Sequence, residues 1–364
     1  MRYYLIAGEA SGDIYGSQLI SEIQILDPNS KIRFWGGDLM KSKSNNLVKH
    51  YKDTSVMGFF EVLKHIFKIL RNIDYCKNDI LEFKPDRIIY IDYPGFNLRI
   101  CKWAKKKGFN NHYYISPQIW AWKENRINAI KRDVDHLHVI LPFEKNYYKN
   151  KHGLEVNYSG HPLVNYIDKF KPDDNFFDKN NIDNNQPIIA LLPGSRLQEI
   201  KKILPVFLSI VKSFESYQFV IGGVESINKE KYSKLIKNKN VKVVFDQTYN
   251  LLANSDAAIV TSGTASLEAA IFNVPQVVCY KTSMITYLIS KILVNIKYIS
   301  LVNLILNNKV VDELVQGGLN SNSLKDSLNK ILKNDNKSKL IESYNDLKSM
   351  LYKDNPSKRT AELI

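Results

Sequence analysis

Short apolar runs separated by amphipathic stretches recur along the chain. Residues 3–7, 32–35, 87–91, 112–115 and 137–141 are mostly apolar runs with the length of buried strands. Stretches with helical spacing, such as 17–25 and 59–83, lie between several of them. Parallel strands need crossover connections, so this alternation predicts a doubly wound parallel sheet. Residues 171–186 are polar and rich in Asn and Asp, which predicts a linker. The pattern then restarts, with strands expected at 188–192, 218–221, 241–245, 257–260 and 276–280 and a helical stretch at 321–353. The expectation is two α/β domains, 1–170 and 187–344, with a terminal helix at about 345–364 that packs back on the first. The cleft between two such domains is a usual place for a substrate.

Composition narrows this picture. A length of 364 residues suits two domains, and 44% hydrophobic with 24% charged residues is ordinary for a globular chain. The net charge of +14 is spread out, and its longest run is Lys105-Lys106-Lys107, so no nucleic-acid-binding arm is expected. A general basic field suits an anionic membrane surface or phosphorylated substrates; drift in a chain rich in Lys, Asn and Ile explains it equally well. Cys76, Cys101 and Cys279 have no metal-ligand spacing and read as free structural thiols in a reducing compartment. Met1-Arg2 leads directly into a strand, so no signal peptide is expected. The most apolar stretch, 284–306, is interrupted by Lys291, Asn295 and Lys297 and is not expected to span a bilayer.

Candidate chemistry sits at strand ends. Ser262-Gly263-Thr264-Ala265-Ser266-Leu267-Glu268 follows an apolar strand and opens an Ala-rich helix. The free N–H groups of a first helical turn, together with the helix dipole, favour an anion there. Glu268, one turn in, can reach a ribose hydroxyl; an ordinary capped helix fits the same residues. Leu192-Pro193-Gly194-Ser195-Arg196 ends the first strand of the second domain, and Arg196 can grip a diphosphate. In the first domain, Gly8-Glu9-Ala10-Ser11-Gly12-Asp13 follows the first strand and can lie over a sugar or phosphate. Its spacing fits neither the dinucleotide fingerprint nor a Walker loop, and Ser11 or Asp13 can equally be a simple cap.

Tyr90-Ile91-Asp92-Tyr93-Pro94-Gly95-Phe96-Asn97 places Asp92 at the carboxyl end of a buried strand, where open α/β sheets bind ligands. Asp92 can be a general base or a loop carboxylate that accepts backbone hydrogen bonds. Ser116-Pro117-Gln118-Ile119-Trp120-Ala121-Trp122-Lys123, with Arg126 and Arg132 near, can line a sugar or lipid head group, with at least one Trp packing inside. His161, in Ser159-Gly160-His161-Pro162, can contact a phosphate or structure a hinge. The histidines show no ligand spacing, so neither a metal nor a cofactor is expected. Residues 59–73 carry an apolar stripe with Lys64, Lys68 and Arg71 interleaved, which suits a membrane interface or packing on the sheet.

Together these motifs resemble lipid-A-disaccharide synthase, a family of bacterial glycosyltransferases. The resemblance runs from Gly8 to about Val315. It rests on the ordered set of the Gly8–Asp13 loop, Met57-Gly58-Phe59-Phe60-Glu61-Val62-Leu63, Ile91-Asp92, the 116–122 segment, Leu141-Pro142-Phe143-Glu144, the 192–196 turn and the 262–268 turn. It implies a GT-B fold of two Rossmann-like domains facing a cleft. It implies transfer of diacylglucosamine from UDP-2,3-diacylglucosamine to the 6-hydroxyl of 2,3-diacylglucosamine 1-phosphate, with inversion and release of UDP. Asp92 matches the family's essential aspartate, and Asn303 matches another functional position, so Asp92, Arg196 and Asn303 are expected to be catalytic. UDP is expected at Arg196 and at Ser262, Gly263, Thr264 and Glu268; Gly8, Glu9, Ser11, Gly12, Trp120 and His161 are expected toward the rest of the substrate. Many relatives have a second Asp where this chain has Gly95, which leaves Asp92 as the clearest base. The resemblance also implies a cytoplasmic protein, peripheral on the inner-membrane surface, and a homodimer with exchanged C-terminal parts.

Two rivals share parts of this pattern. A UDP-N-acetylglucosamine 2-epimerase or another GT-B sugar enzyme would also carry the Gly-His-Pro and Ser-Gly-Thr elements. A non-catalytic membrane adaptor on the same fold would not need Asp92, Arg196 and Glu268 together.

Overall fold

The structure, a computed structural model, describes residues 1–54, 66–225, 227–237, 240–284, 287–288, 294 and 296–364. The chain divides into two compact units, Met1–Asn165 with Leu351–Ile364, and Tyr166–Met350.

The first unit is built on seven parallel strands: β1 (Arg2–Ala7), β2 (Lys31–Gly36), β3 (Leu47–His50), β4 (Arg87–Ile91), β5 (Asn110–Tyr114), β6 (His136–Val139) and β7 (Asn157–Tyr158). Their order is β3-β2-β1-β4-β5-β6-β7. Central β1 and β4 pair in parallel from Tyr3–Arg87 to Ala7–Ile91 and are almost wholly buried, as their unbroken apolar runs require. The strand order reverses between them, and in open α/β sheets that switch point opens a crevice at the carboxyl ends. Buried tyrosines find polar partners: Tyr4 OH donates to Asp79 Oδ2 at 2.6 Å and Tyr90 OH to Asn111 Oδ1 at 3.0 Å.

The second unit has six parallel strands: β8 (Ile188–Leu192), β9 (Gln218–Gly223), β10 (Val241–Phe245), β11 (Ala257–Thr261), β12 (Gln276–Tyr280) and β13 (Asp312–Val315), ordered β10-β9-β8-β11-β12-β13. Its switch point falls between β8 and β11, both buried throughout. Each sheet thus repeats the same winding, the doubly wound parallel architecture expected from the alternating pattern. The short strands β3, β7 and β13 were not expected, because they are partly exposed edge positions with no apolar run.

Residues 171–186 lie inside the second unit rather than bridging the two. Helix Phe176–Asn180 buries Phe176 completely, and Asn180 Nδ2 donates to Gln247 Oε1 at 3.2 Å. The 321–353 stretch is two helices, Ser321–Leu332 and Asn334–Leu351, interrupted at the extended Lys333. The terminal helix Pro356–Leu363 packs in the first unit against helix Ala10–Leu26, and Asn355 Nδ2 donates to Glu22 Oε1 at 2.8 Å. Cys76, Cys101 and Cys279 are buried free thiols.

Much of the 59–73 stripe lies outside the described residues, as does part of 284–306. The described helix Ile66–Phe83 buries Ile73, Cys76, Ile80 and Phe83 on one face and leaves Phe67 78% and Leu70 46% exposed. Among the described residues no helix is long and apolar enough to cross a membrane.

Candidate active site

In the first unit the site begins where β1 and β4 end. Asp92 and Tyr93 both take left-handed backbone conformations, with φ of +45° and +50°, just before helix Pro94–Lys106. Such conformations are strained for non-glycine residues and persist only where the surroundings hold them. Three contacts do so. Asp92 N donates to Tyr114 O at 3.1 Å, while Asp92 O accepts from Tyr113 OH at 2.7 Å and from Asn97 Nδ2 at 2.8 Å. Asn97, fully buried, also donates to Ile6 O at 3.3 Å and so ties the end of β1 to that of β4. Tyr93 lays its ring over Gly8: a Cβ there would fall 2.4 Å from the ring, which is why the position is glycine.

These contacts hold the main chain of Asp92 and leave its carboxyl to the site. Burial and the neighbouring Glu9 carboxylate push that carboxyl up to about 7, against a smaller opposing pull from a Tyr93 backbone hydrogen bond and from Arg126. A base with that affinity is matched to neutral pH. Glu9 caps helix Ala10–Leu26 with its main chain, and Gly12 is buried in the first turn beside a partly exposed Ser11. Asp13 does not cap its own helix; its carboxylate accepts from Gly37 N, Leu39 N and Met40 N at 2.7–3.0 Å, at the start of the separate helix Asp38–Lys41. Gly95 is exposed, with open space where a Cβ would stand.

Two residues expected to face substrate are otherwise engaged. Trp120 donates its indole N–H to Glu144 Oε1 at 3.0 Å and packs edge-on against Phe143. Glu144 also accepts from Ile140 N and Leu141 N at 3.1 and 2.9 Å, and its burial pushes the carboxyl up to about 7. Trp120 is therefore a packing residue; the exposed indole of the pair is Trp122. His161 is buried against Tyr15, accepts from Leu163 N at 3.2 Å through Nδ1, and donates its main-chain N–H to Leu351 O at 3.0 Å. Burial lowers its ring to about 3, so it brings no positive charge to a phosphate at neutral pH.

In the second unit the ends of β8 and β11 carry the other half of the candidate residues. Gly263 takes φ of +152° with open space around its Cβ position, so the backbone angle, not crowding, calls for glycine. It caps helix Thr264–Ile271, whose first N–H groups an α-helix leaves without internal acceptors. Arg196, at the cap of helix Leu197–Leu208, has a 52% exposed side chain that meets Glu199 Oε1 at 3.1 Å. Glu268 accepts from Tyr249 OH at 3.0 Å, and burial pushes its carboxyl up to about 7 against that hydrogen bond.

Asn303, expected to be catalytic, is engaged within its own unit. It is fully buried, with Nδ2 donating to Val311 O and Glu313 Oε1, both at 2.9 Å, and Oδ1 accepting from Val310 N and Val311 N at 2.8 and 2.9 Å. All its hydrogen-bonding capacity is used inside the unit. The same Glu313 accepts from Ile299 N and Ser300 N at 3.0 and 2.9 Å, and Ile299 O in turn accepts from Ser262 Oγ at 2.7 Å. Asn303 thus braces the loop that holds the Ser262–Gly263 turn.

Sequence reasoning missed Asn97, Glu144, Tyr249 and Glu313 as members of these networks. For Glu144 there was a local signal, its place three residues after Leu141 at a helix start, and Asn97 lies five residues from Asp92; Asn97 also reaches Ile6, and Tyr249 and Glu313 meet partners ten or more residues away.

Known proteins resemble this chain over most of its length. A family model described as lipid-A-disaccharide synthetase matches residues 3–362. A lipid-A-disaccharide synthase of Trichlorobacter lovleyi is 37% identical over 321 residues, covering 86% of this chain and 84% of that protein. One from Coxiella burnetii is 34% identical over 365 residues, covering 99% of this chain and 96% of that protein. Among solved structures, UDP-GlcNAc 2-epimerase from Neisseria meningitidis bound to UDP-GlcNAc superposes with a TM-score of 0.68 at 14% identity, covering 100% of this chain and 98% of that one. At that identity the likeness speaks to the fold, which is GT-B.

Proposed function

The chain belongs to the lipid-A-disaccharide synthase family, a family of glycosyltransferases, and from that membership and the two sites above we propose the following reaction. The enzyme moves 2,3-diacylglucosamine from its UDP ester to the 6-hydroxyl of 2,3-diacylglucosamine 1-phosphate, inverting the anomeric carbon and releasing UDP. The observation that carries this is Asp92: a carboxyl at the switch point of a doubly wound sheet, held by its main chain, with its proton affinity raised to about 7.

Asp92 takes the proton of the acceptor hydroxyl as the oxygen attacks the anomeric carbon. Positive charge builds on the sugar ring, as in glycoside hydrolysis. Negative charge builds on the leaving diphosphate. Arg196 and the N-terminus of helix Thr264–Ile271 meet that charge, and being in place beforehand they favour the transition state over the ground state. Glu268, steadied by Tyr249, accepts from a ribose hydroxyl. Glu9 accepts from the acceptor sugar and, through its charge, keeps Asp92 basic. Ser11, partly exposed, faces that sugar, Gly8 and Gly12 let Tyr93 and Ala7 pack closely beneath it, and Ser262 and Asn303 hold the nucleotide turn, while His161 packs behind the site. The diacylated substrates bring the enzyme to the cytoplasmic face of the inner membrane as a peripheral protein, with Phe67 and Leu70 exposed toward it. A homodimer with exchanged C-terminal parts belongs to the same reading.

The test is release of UDP from UDP-2,3-diacylglucosamine with and without the monosaccharide 1-phosphate. Release that depends on the acceptor, with disaccharide formed, supports the proposal. Conversion of soluble UDP-GlcNAc to its 2-epimer, with no acceptor-dependent release, would assign the fold to the epimerase reaction instead.

A further inference from the structure

Lys123 and Arg126 hold two positive charges over one indole. Nζ of Lys123 lies 4.4 Å and Cζ of Arg126 5.2 Å from the ring centroid of Trp122, which is 41% exposed. The backbone arranges this: Lys123 takes a left-handed φ of +53° and opens the 3-10 turn Glu124–Arg126. Among the described residues neither cation has an ion-pair partner. The carboxylate between them in sequence is engaged elsewhere, since Glu124 Oε1 meets Lys151 Nζ at 2.7 Å, His152 Nε2 at 3.2 Å and Tyr147 OH at 3.2 Å.

Two cations gathered at one ring repel each other, and partial burial strengthens the repulsion. Burial, and then the neighbouring Arg126, lowers the Lys123 ammonium below its usual range. An anion between them would relieve both costs. Arg126 is half-buried, and its charge is felt by Asp92 and Tyr113 although it forms no ion pair with Asp92. That is the relation expected of two groups at opposite ends of one bound sugar.

We propose that Lys123 and Arg126, seated on Trp122, hold the phosphate monoester of the acceptor sugar and thereby present its hydroxyl to Asp92. This rests on the acceptor reading above. A phosphate monoester carries a charge of roughly −1.5 to −2 and three strong acceptor oxygens, which suits a guanidinium fork beside an ammonium point charge. The phosphate of an anionic membrane lipid has the same chemistry, and the experiment separates the two sources.

The full-length enzyme is assayed with the acceptor 1-phosphate and with the same diacylated sugar lacking the phosphate. Arg126→Gln should raise KM for the phosphorylated acceptor by about ten- to a hundredfold, the worth of a charge-assisted contact. KM for the dephosphorylated acceptor and affinity for UDP should stay as in the wild type, so the two acceptors converge. Lys123→Gln should do the same to a smaller degree. Should Arg126→Gln melt early, Arg126→Lys carries the same comparison, with an intermediate KM expected. A variant that still prefers the phosphorylated acceptor as the wild type does would overturn the proposal, as would an equal loss with both acceptors. Sedimentation with phosphatidylglycerol and phosphatidylcholine vesicles is the other arm, and neither substitution should change it. Lost binding to anionic vesicles with acceptor preference intact would give these residues to the membrane instead. A wild type that releases no UDP with either acceptor would overturn the reaction itself, and this inference with it.

Discussion

The hydroxyl of Tyr249 donates a 3.0 Å hydrogen bond to Oε1 of Glu268, joining helix Thr248–Ala253 to the helix that opens at Gly263. That bond opposes the burial that raises Glu268 to about 7. Tyr249→Phe should therefore raise the carboxyl further and leave less carboxylate at neutral pH. UDP affinity should fall about two- to tenfold at pH 7, the worth of one hydrogen bond, and the loss should shrink at pH 9. Calorimetric titration of UDP at both pH values checks this; equal affinity in variant and wild type would remove Glu268 from the nucleotide site.

Asp92→Asn should lower turnover by about 10²–10⁴-fold with UDP affinity nearly unchanged, since a general base typically supplies that much. In the wild type kcat/KM should rise with pH through about 7 as Asp92 loses its proton. The same carboxyl has a stability signature. Its folded affinity lies above the ordinary aspartate value, so the folded state binds more protons than the unfolded one between that value and about 7. Stability attributable to Asp92 is therefore full at acid pH and declines as pH rises through that window. Asp92→Asn should melt higher than wild type at pH 8 and lose that advantage near pH 4; a difference in Tm independent of pH would contradict the buried carboxyl.

Asn303→Ala leaves buried partners at Val310, Val311 and Glu313 unpaired. The expected cost is about 2–4 kcal/mol in denaturant unfolding. Because the same network holds Ser262 through Ile299, UDP affinity should weaken alongside. Unchanged stability with abolished turnover would make Asn303 a group that meets substrate directly.

Phe67 and Leu70 are exposed on a helix whose other face is core. Replacing both with Ser should reduce sedimentation with anionic vesicles and raise KM for diacylated substrates. Stability to denaturant should fall by no more than about 1–2 kcal/mol, because Phe67 is mostly and Leu70 about half exposed. A large loss of stability with vesicle binding unaltered would mean that these side chains pack rather than touch lipid.

How much of this was legible along the chain depended on range. The central strands were legible because β1, β4, β8 and β11 are buried on both faces and so appear as unbroken apolar runs. The turns that follow them were legible for the same reason: a polar or glycine-rich segment directly after such a run falls at the carboxyl end of a strand. That placed Asp92, Arg196 and the Ser262–Glu268 turn among the candidates. The edge strands β3, β7 and β13, half exposed and mixed in character, carried no such signal.

Which of the candidates are aimed at a ligand was decided elsewhere. Sequence pattern alone does not say which carboxylate a ligand meets, Asp13 in the first turn of the helix after β1 or Asp92 directly after β4. Asp13 is tied up because Gly37, Leu39 and Met40 bring their N–H groups to it, and Asp92 keeps its carboxyl because Asn97 and Tyr113 take its main chain instead. Trp120 and Trp122 differ by two positions, yet one finds Glu144 and the other two cations. Asn303 stands in an apolar helical segment whose pattern does not say that its donors and acceptors will be matched by Val310, Val311 and Glu313, seven to ten residues on. Periodicity reports burial averaged along an element, which the solvent preference of each side chain sets. Hydrogen bonding and charge depend on atoms meeting within about 3 Å, and only the folded chain brings those atoms together.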